Sequence, residues 1–364
     1  MALIGPNDLK QFAIPANWDA SYLNRYRLID GTDYDGLLSD IASALALQNA
    51  ALLSDPLLST MMSATDQIES EYGVGVSNGF EDHTEYGRPD PRRGKTTGHM
   101  LPLLSKDRAF GWTWDFLQKA RRIQIDEDIA SGMEDLRNVF AKMALTRHFK
   151  STYDSVGTGK SVPFADGGTA DATYVPKHMP DRAAPFDAAH THLLRLDGIT
   201  QANVETAVKH LWEHGHDAPY DLLAAMADIA SWKDQTTVTG FVPRAQGLIQ
   251  YGSGQDLALV NPEYIGAIET PYGPVQVRFN ARIPTTFWTV FKSYGRLDQR
   301  NPIRARFNPR YGIGAVLLAG DHIREYPLEN AILYMEIGFG IGDRTNGVLV
   351  RNAGSSSYTD PTIS

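Results

Sequence analysis

Five histidines crowd one stretch of this chain: His190 and His192 flank Thr191, and His210, His214 and His216 follow. His210 and His214 stand one helical turn apart, the spacing that sets two imidazoles on one helix face and can chelate a transition metal. Leu211, Trp212 and Glu213 lie between them, so the pair is not the HExxH pattern of zinc hydrolases. A mononuclear site also needs a third or fourth ligand with hydrogen-bond partners behind it. The histidines therefore read as surface or hydrogen-bonded residues, and no metal ligand is assigned. A second candidate is VGTGKS, Val156 to Ser161. A phosphate-binding loop requires glycine five positions before the glycine that precedes lysine, and it follows a strand. Asp154 holds that position here and a helical pattern precedes it, so the segment reads as a turn. Asp126, Glu127 and Asp128 are charges suited to a helix start, not an acid–base pair. Gly252-Ser253-Gly254 reads as a loop. The sequence thus assigns no catalytic, cofactor-binding or metal residue and no cofactor, and it reads as a non-enzyme.

Composition narrows the classes further. The chain has 364 residues, 42% hydrophobic and 21% charged, with a formal net charge of −9. That size allows two or three packing units, and the proportions are those of globular proteins. The acidic balance argues against a nucleic-acid reader that works by neutralising phosphates. Cysteine is absent, which removes disulfides, thiolate metal sites and thiol nucleophiles and fits a reducing compartment. The opening MALIGPNDLKQFAIPAN lacks the charged-then-apolar pattern of a signal peptide, and no apolar run approaches the ~18–20 residues of a membrane span. The expectation is a soluble protein made in the cytoplasm.

The elements that must position these residues form a distinctive order. Residues up to about Thr32 mix Pro6 and Pro15 with Phe12, Trp18, Tyr22 and Tyr26, as an arm that packs aromatics on something else would. A helix is predicted next, capped by Asp33, striped by Leu37, Leu38, Ile41, Leu45 and Leu52, and ended or kinked at Pro56. Asp126 is the expected cap of a long helix running to about Ser151, with Ile129, Met133, Leu136, Phe140 and Met143 on one face and Arg147, His148 and Lys150 at its negative end. Thr152 to Pro185 reads as irregular. Thr200 should cap a helix over Gln201 to His214 that Gly215 terminates, and Leu223 to Lys233 reads as another helix. Strands are expected beyond Thr236, in TTVTGFV, GLIQYG, DLALV, YIGAIET, PVQVRFNARI, AILYMEIGFGIG and NGVLVRN.

Between the two main helical patterns lies a polar, glycine-rich segment, Ser63 to Phe110. Structureless loops beyond about 12–15 residues are uncommon in compact domains, because ordering them costs entropy that little burial offsets. Its first limb alternates over Ile68, Tyr72, Val74 and Val76, RPDPRRG (Arg88 to Gly94) marks a turn, and a second limb returns from Lys95 to Phe110. The segment is predicted to be a long two-stranded hairpin, a form that is marginal in water without a partner surface. Glu69, Glu71, Glu81, Asp82 and Glu85 make its stem acidic, and Arg88, Arg92, Arg93 and Lys95 make its tip basic. Opposite charges so arranged can pair stem to tip between neighbouring copies.

This order resembles the major capsid proteins of tailed bacteriophages, with their Hong Kong 97-type shell fold. AHTHLLRLDGITQANVETAVKHLWEHG looks like the entry to the axial domain in one branch of that family. ARIPTTFWTVFKSYGRLDQRNPIRARFNPRYG, YPLENAILYMEIGFGIGDRTNGVLV and the closing SSSYTDPTIS look like its late strands and tail. The resemblance implies an α+β fold: an N-terminal arm (1–62), an extended loop (63–112), a peripheral domain with a spine helix (113–185), an axial domain (186–328) and return strands with a tail (329–364). It implies a structural virion protein that self-assembles as pentamers and hexamers into an icosahedral shell around double-stranded DNA. The implied partners are scaffolding, portal and decoration proteins, with no sequence-specific DNA contact and no membrane. Assembly would occur in the host bacterial cytoplasm, and no scaffolding leader is visible in the chain. Some members weld a loop lysine to an asparagine. Lys95, Lys106 and Asn352 are the residues of those types here, and they do not match that motif, so no cross-link is expected. An encapsulin-like cargo compartment is the alternative within the fold, and a metallohydrolase using the His190 to His216 cluster is the alternative outside it.

Overall fold

The computed structural model describes residues 28–31, 34–55, 57–74, 95–156, 159–166, 174–187, 189–243, 264–319, 328–352 and 357–363. The chain is mixed α+β and divides into two compact units: residues 1–52, 105–139 and 310–336 in one, and residues 53–104, 140–309 and 337–364 in the other.

The first unit is built on helix Tyr34–Ser54, strand Leu104–Thr113, most of helix Arg122–His148 and the pair Ala315–Ala319 with the early part of Leu328–Ile341. Ile41, Leu45 and Leu52 bury one stripe of the first helix, as their spacing requires. The Asn49 side chain bonds both backbone groups of Ala315, its Nδ2 donating to the carbonyl at 2.8 Å and its Oδ1 accepting from the amide at 3.0 Å. Strand Leu104–Thr113 meets the long helix through Trp112, whose Nε1 donates to Asp128 at 3.1 Å, and through an Arg108–Asp135 ion pair. Gly132 lets the two elements approach, because a Cβ there would stand 2.5 Å from the Phe110 ring.

The long helix begins at Arg122, a turn before the expected cap at Asp126. The Gln124 side chain accepts from the Arg121 amide at 3.0 Å, which closes the helix start, and buried Ile125 begins the apolar stripe.

In the second unit a seven-stranded sheet runs in the order Leu193–Arg195, Val348–Arg351, Phe287–Phe291, Tyr220–Ala225, Gly273–Asn280, Tyr264–Thr270, Phe241–Pro243. The first pair and the Tyr220–Ala225/Gly273–Asn280 pair are parallel, and the others are antiparallel. Helix Gln201–Glu213 covers this sheet with Val204, Ala207, Val208 and Leu211, each fully buried, around Trp232 and Trp288. Fully burying an aliphatic side chain stabilises by roughly 1.5–3 kcal/mol, so this face anchors the unit. Of Leu223 to Lys233, expected as a helix, the first three residues instead end strand Tyr220–Ala225, and a 3-10 turn, Met226–Asp228, leads into the short helix Ile229–Trp232. Strands YIGAIET, PVQVRFN, AILYMEIGFGI and VLVR stand as expected, TTVTGFV is reduced to Phe241–Pro243, and GLIQYG and DLALV lie outside the described residues. A smaller set of strands in the same unit pairs Met62–Thr65 in parallel with Ile303–Phe307, which runs antiparallel to Ile337 through Ile341.

Candidate functional site

Two features of the second unit bear on function, and the first is the root of the predicted hairpin. Glu69–Val74 and Lys95–Met100 pair antiparallel from Glu69 opposite Met100 to Val74 opposite Lys95. The Leu101 amide donates to the Ile68 carbonyl at 2.7 Å and closes the ladder. Two arginines tie it down: Arg304 donates to the Ser70 hydroxyl at 3.3 Å and Arg306 to the Leu101 carbonyl at 2.7 Å. Glu69 and Glu71 are exposed, as an acidic stem requires. Beside them His99 is held down to about pKa 4 by burial and by Arg344, Arg147, Arg304 and Lys160. The second limb is shorter than expected, because the ladder stops at Met100 and Leu104–Thr113 pairs with Leu328–Ile341 instead. Lys106 therefore lies outside the hairpin. The rest of the charged stem and the tip, Glu81 through Arg93, lie outside the described residues, as do the cap Asp33, Pro56 and the arm aromatics.

The second feature is the histidine cluster. Thr200 caps helix Gln201–Glu213 through its hydroxyl, which accepts from the Asn203 amide at 3.3 Å, and Gly215 turns the chain at φ 90°, as read from sequence. The cap fixes where His210 and His214 emerge. Parallel pairing of Leu193–Arg195 with Val348–Arg351 then carries His190 and His192 to the same place. Their Nε2 atoms form a triangle: His192 to His214 2.9 Å, His190 to His214 3.1 Å, His190 to His192 3.2 Å. A ring nitrogen of His210 lies within 4.8 Å of those of His190 and His192. Phe186 stacks on His190 with ring centroids 4.0 Å apart. His216 does not join: its ring bonds the Tyr294 and Thr345 hydroxyls at 2.7 and 3.0 Å. Burial is the first cause that lowers all four pKa values, to about 3 for His190, about 4 for His210 and His214, and well below the usual value for His192. The neighbouring imidazoles add to this at His190 and His192. The cluster is neutral near pH 7. Imidazoles in this arrangement can hold a metal or form a buried hydrogen-bonded knot.

The VGTGKS segment is no phosphate loop, since Asp154–Val156 and Gly159–Ser161 pair with each other as strands.

No family model and no curated protein matches this chain. Among solved structures it is similar to a chain of Mycobacterium phage Patience, with 18% identity, 92% of this chain and 93% of that chain covered, and a TM-score of 0.62. The chain shares its fold with that phage chain. More distant likenesses include the capsid of a native GTA particle (12% identity, 83% and 91% covered, TM-score 0.47) and the SrpI encapsulin of Synechococcus elongatus PCC 7942 (13%, 82% and 88%, TM-score 0.43).

Within this fold, Asn352 accepts from Trp288 Nε1 at 2.7 Å, a bond that holds strand Val348–Arg351 against Phe287–Phe291. Sequence reasoning passed over His99 and Phe186, because nothing in their spacing marks them; only the register of the hairpin root and the path of the chain before His190 give them neighbours.

Proposed function

We propose that this chain is the major capsid protein of a tailed bacteriophage, a structural subunit that assembles with its own copies into an icosahedral shell around double-stranded DNA. The observation that carries the reading is the correspondence with the Mycobacterium phage chain over more than nine-tenths of both chains. The hairpin supports it. Its root pairs Glu69–Val74 with Lys95–Met100 and is anchored by two arginines, and a two-stranded ribbon needs a surface to lie on. A neighbouring copy supplies that surface, with the acidic stem meeting the basic tip.

In Hong Kong 97-type terms, residues 1–62 are the arm that grips a neighbour and 63–112 the extended loop. Residues 113–185 are the peripheral domain around the long helix, and 186–328 the axial domain that meets its copies in pentamers and hexamers. Residues 329–364 return to the peripheral domain through Leu328–Ile341, while Val348–Arg351 joins the seven-stranded sheet. The role is structural and not catalytic. Portal and scaffolding proteins are the expected partners, with decoration proteins on the outer face. A net charge of −9 is compatible with enclosing DNA, because packaged DNA carries its own counterions and the shell reads no bases.

Particles purified from expressing cells test this by their form and contents. Closed shells that are empty or hold nucleic acid support the proposal. Shells filled with a folded enzyme would replace it with a cargo compartment, and a discrete small oligomer would remove the shell reading altogether.

A further inference from the structure

We propose that His190, His192 and His214 bind a divalent first-row transition ion, zinc foremost, through their Nε2 atoms, with His210 completing a tetrahedral all-imidazole site. The Nδ1–H of His192 donates to the Gly347 carbonyl at 2.7 Å, and the Nδ1–H of His214 donates to the Lys177 carbonyl. Each neutral imidazole carries one ring proton, so both Nε2 atoms present bare lone pairs. Those lone pairs face each other at 2.9 Å, where no hydrogen bond can join them. Only His190 can bring a proton to the triangle, and one proton cannot satisfy two acceptors that also repel. A cation held by all three nitrogens removes the conflict.

Dimensions agree. Zinc–imidazole bonds of about 2.0–2.1 Å in a tetrahedron put ligand nitrogens roughly 3.3 Å apart. The observed edges of 2.9, 3.1 and 3.2 Å fit an ion seated just off the plane of the triangle. His210 supplies the fourth corner, since its buried Nδ1 has no hydrogen-bond partner and a ring nitrogen of it lies within 4.8 Å of those of His190 and His192. Both backbone carbonyls behind the ligands are the outer partners that metal-binding histidines ordinarily have, and Phe186 fixes the His190 ring from its face. Four imidazoles without a carboxylate or thiolate select zinc, copper, nickel or cobalt over magnesium or calcium. With all four corners taken by protein, the site is structural: the ion pins the end of helix Gln201–Glu213 to the residues leading into strand Leu193–Arg195.

The test uses the untagged full chain. It is stripped with EDTA, returned to buffer and titrated with zinc sulfate by calorimetry, with metal content read by mass spectrometry and cobalt(II) substitution read by absorption. One zinc per chain and an intense tetrahedral cobalt band are expected, and zinc should raise Tm by several degrees. His190→Gln, a change at a half-buried position, should weaken zinc binding at least a hundredfold and abolish the cobalt band while circular dichroism stays that of the parent. His216→Ala, outside the cluster, should bind as the parent does. A parent chain that takes up no zinc, or a folded His190→Gln chain that binds it unchanged, overturns the proposal.

Discussion

His148 shows what a single buried imidazole does to stability. It is fully buried, with Nε2 2.9 Å from the Thr289 hydroxyl and the rings of Phe149, Phe164 and Phe291 around it. Burial first, then the Arg147 charge, lowers its pKa to about 3. The unfolded chain protonates this residue near its ordinary value of 6.5, so between the two values the unfolded state holds the extra proton. Stability is therefore full above pH 6.5 and falls as pH drops toward 3, at up to about 1.4 kcal/mol per pH unit for this group. Urea unfolding at pH 7 and pH 5 should show that loss, and His148→Gln should flatten the slope by one proton. Gly314 makes a backbone counterpart. It sits at φ 103°, and a Cβ there would stand 2.1 Å from Asn49 Oδ1, the atom that caps strand Ala315–Ala319. Gly314→Ala should cost about 1–3 kcal/mol, read as a lower urea midpoint. At this scale the sequence was half legible. The turn spacing of His210 and His214 was visible, but their meeting with His190 and His192 depends on a parallel strand register with Val348–Arg351 that no local spacing encodes.

Elements were legible where their ends carry their own chemistry. Thr200 and Gly215 bracket Gln201–Glu213 in sequence and in structure, and Thr200→Ala should destabilise by about 1 kcal/mol in equilibrium unfolding through the lost bond to the Asn203 amide. The long helix starts earlier than Asp126 because its first turn is closed by a glutamine reaching back to an arginine amide, a weaker signal than an aspartate. The last three residues of strand Tyr220–Ala225 read as the start of a helix for a different reason. All six residues are buried between two neighbouring strands, and the apolar run Leu222 to Ala227 that continues past the strand has no periodicity to separate strand from helix. The hairpin was legible from alternation, yet its second limb ends at Met100, where pairing with Leu328–Ile341 takes over. Because Val74 and Lys95 stand opposite each other, replacing residues 75–94 by Asn-Gly should close the ladder with a tight turn and leave a folded subunit, checked by circular dichroism and thermal melting.

For the whole molecule the proposed function is collective: the subunit would fold alone, and the shell would form only when each hairpin lies on a neighbour. The sequence suggests this through the order of arm, hairpin, long helix and late strands, of which the hairpin root, the long helix and the late strands lie among the described residues. The measurement that tests it most directly is sedimentation, with electron microscopy of the fractions, of the full chain beside the chain truncated at residues 75–94. The account predicts that the full chain sediments as capsomers and closed shells while the truncated chain stays a folded small species. Equal sedimentation of the two, whether both assemble or neither does, would contradict it.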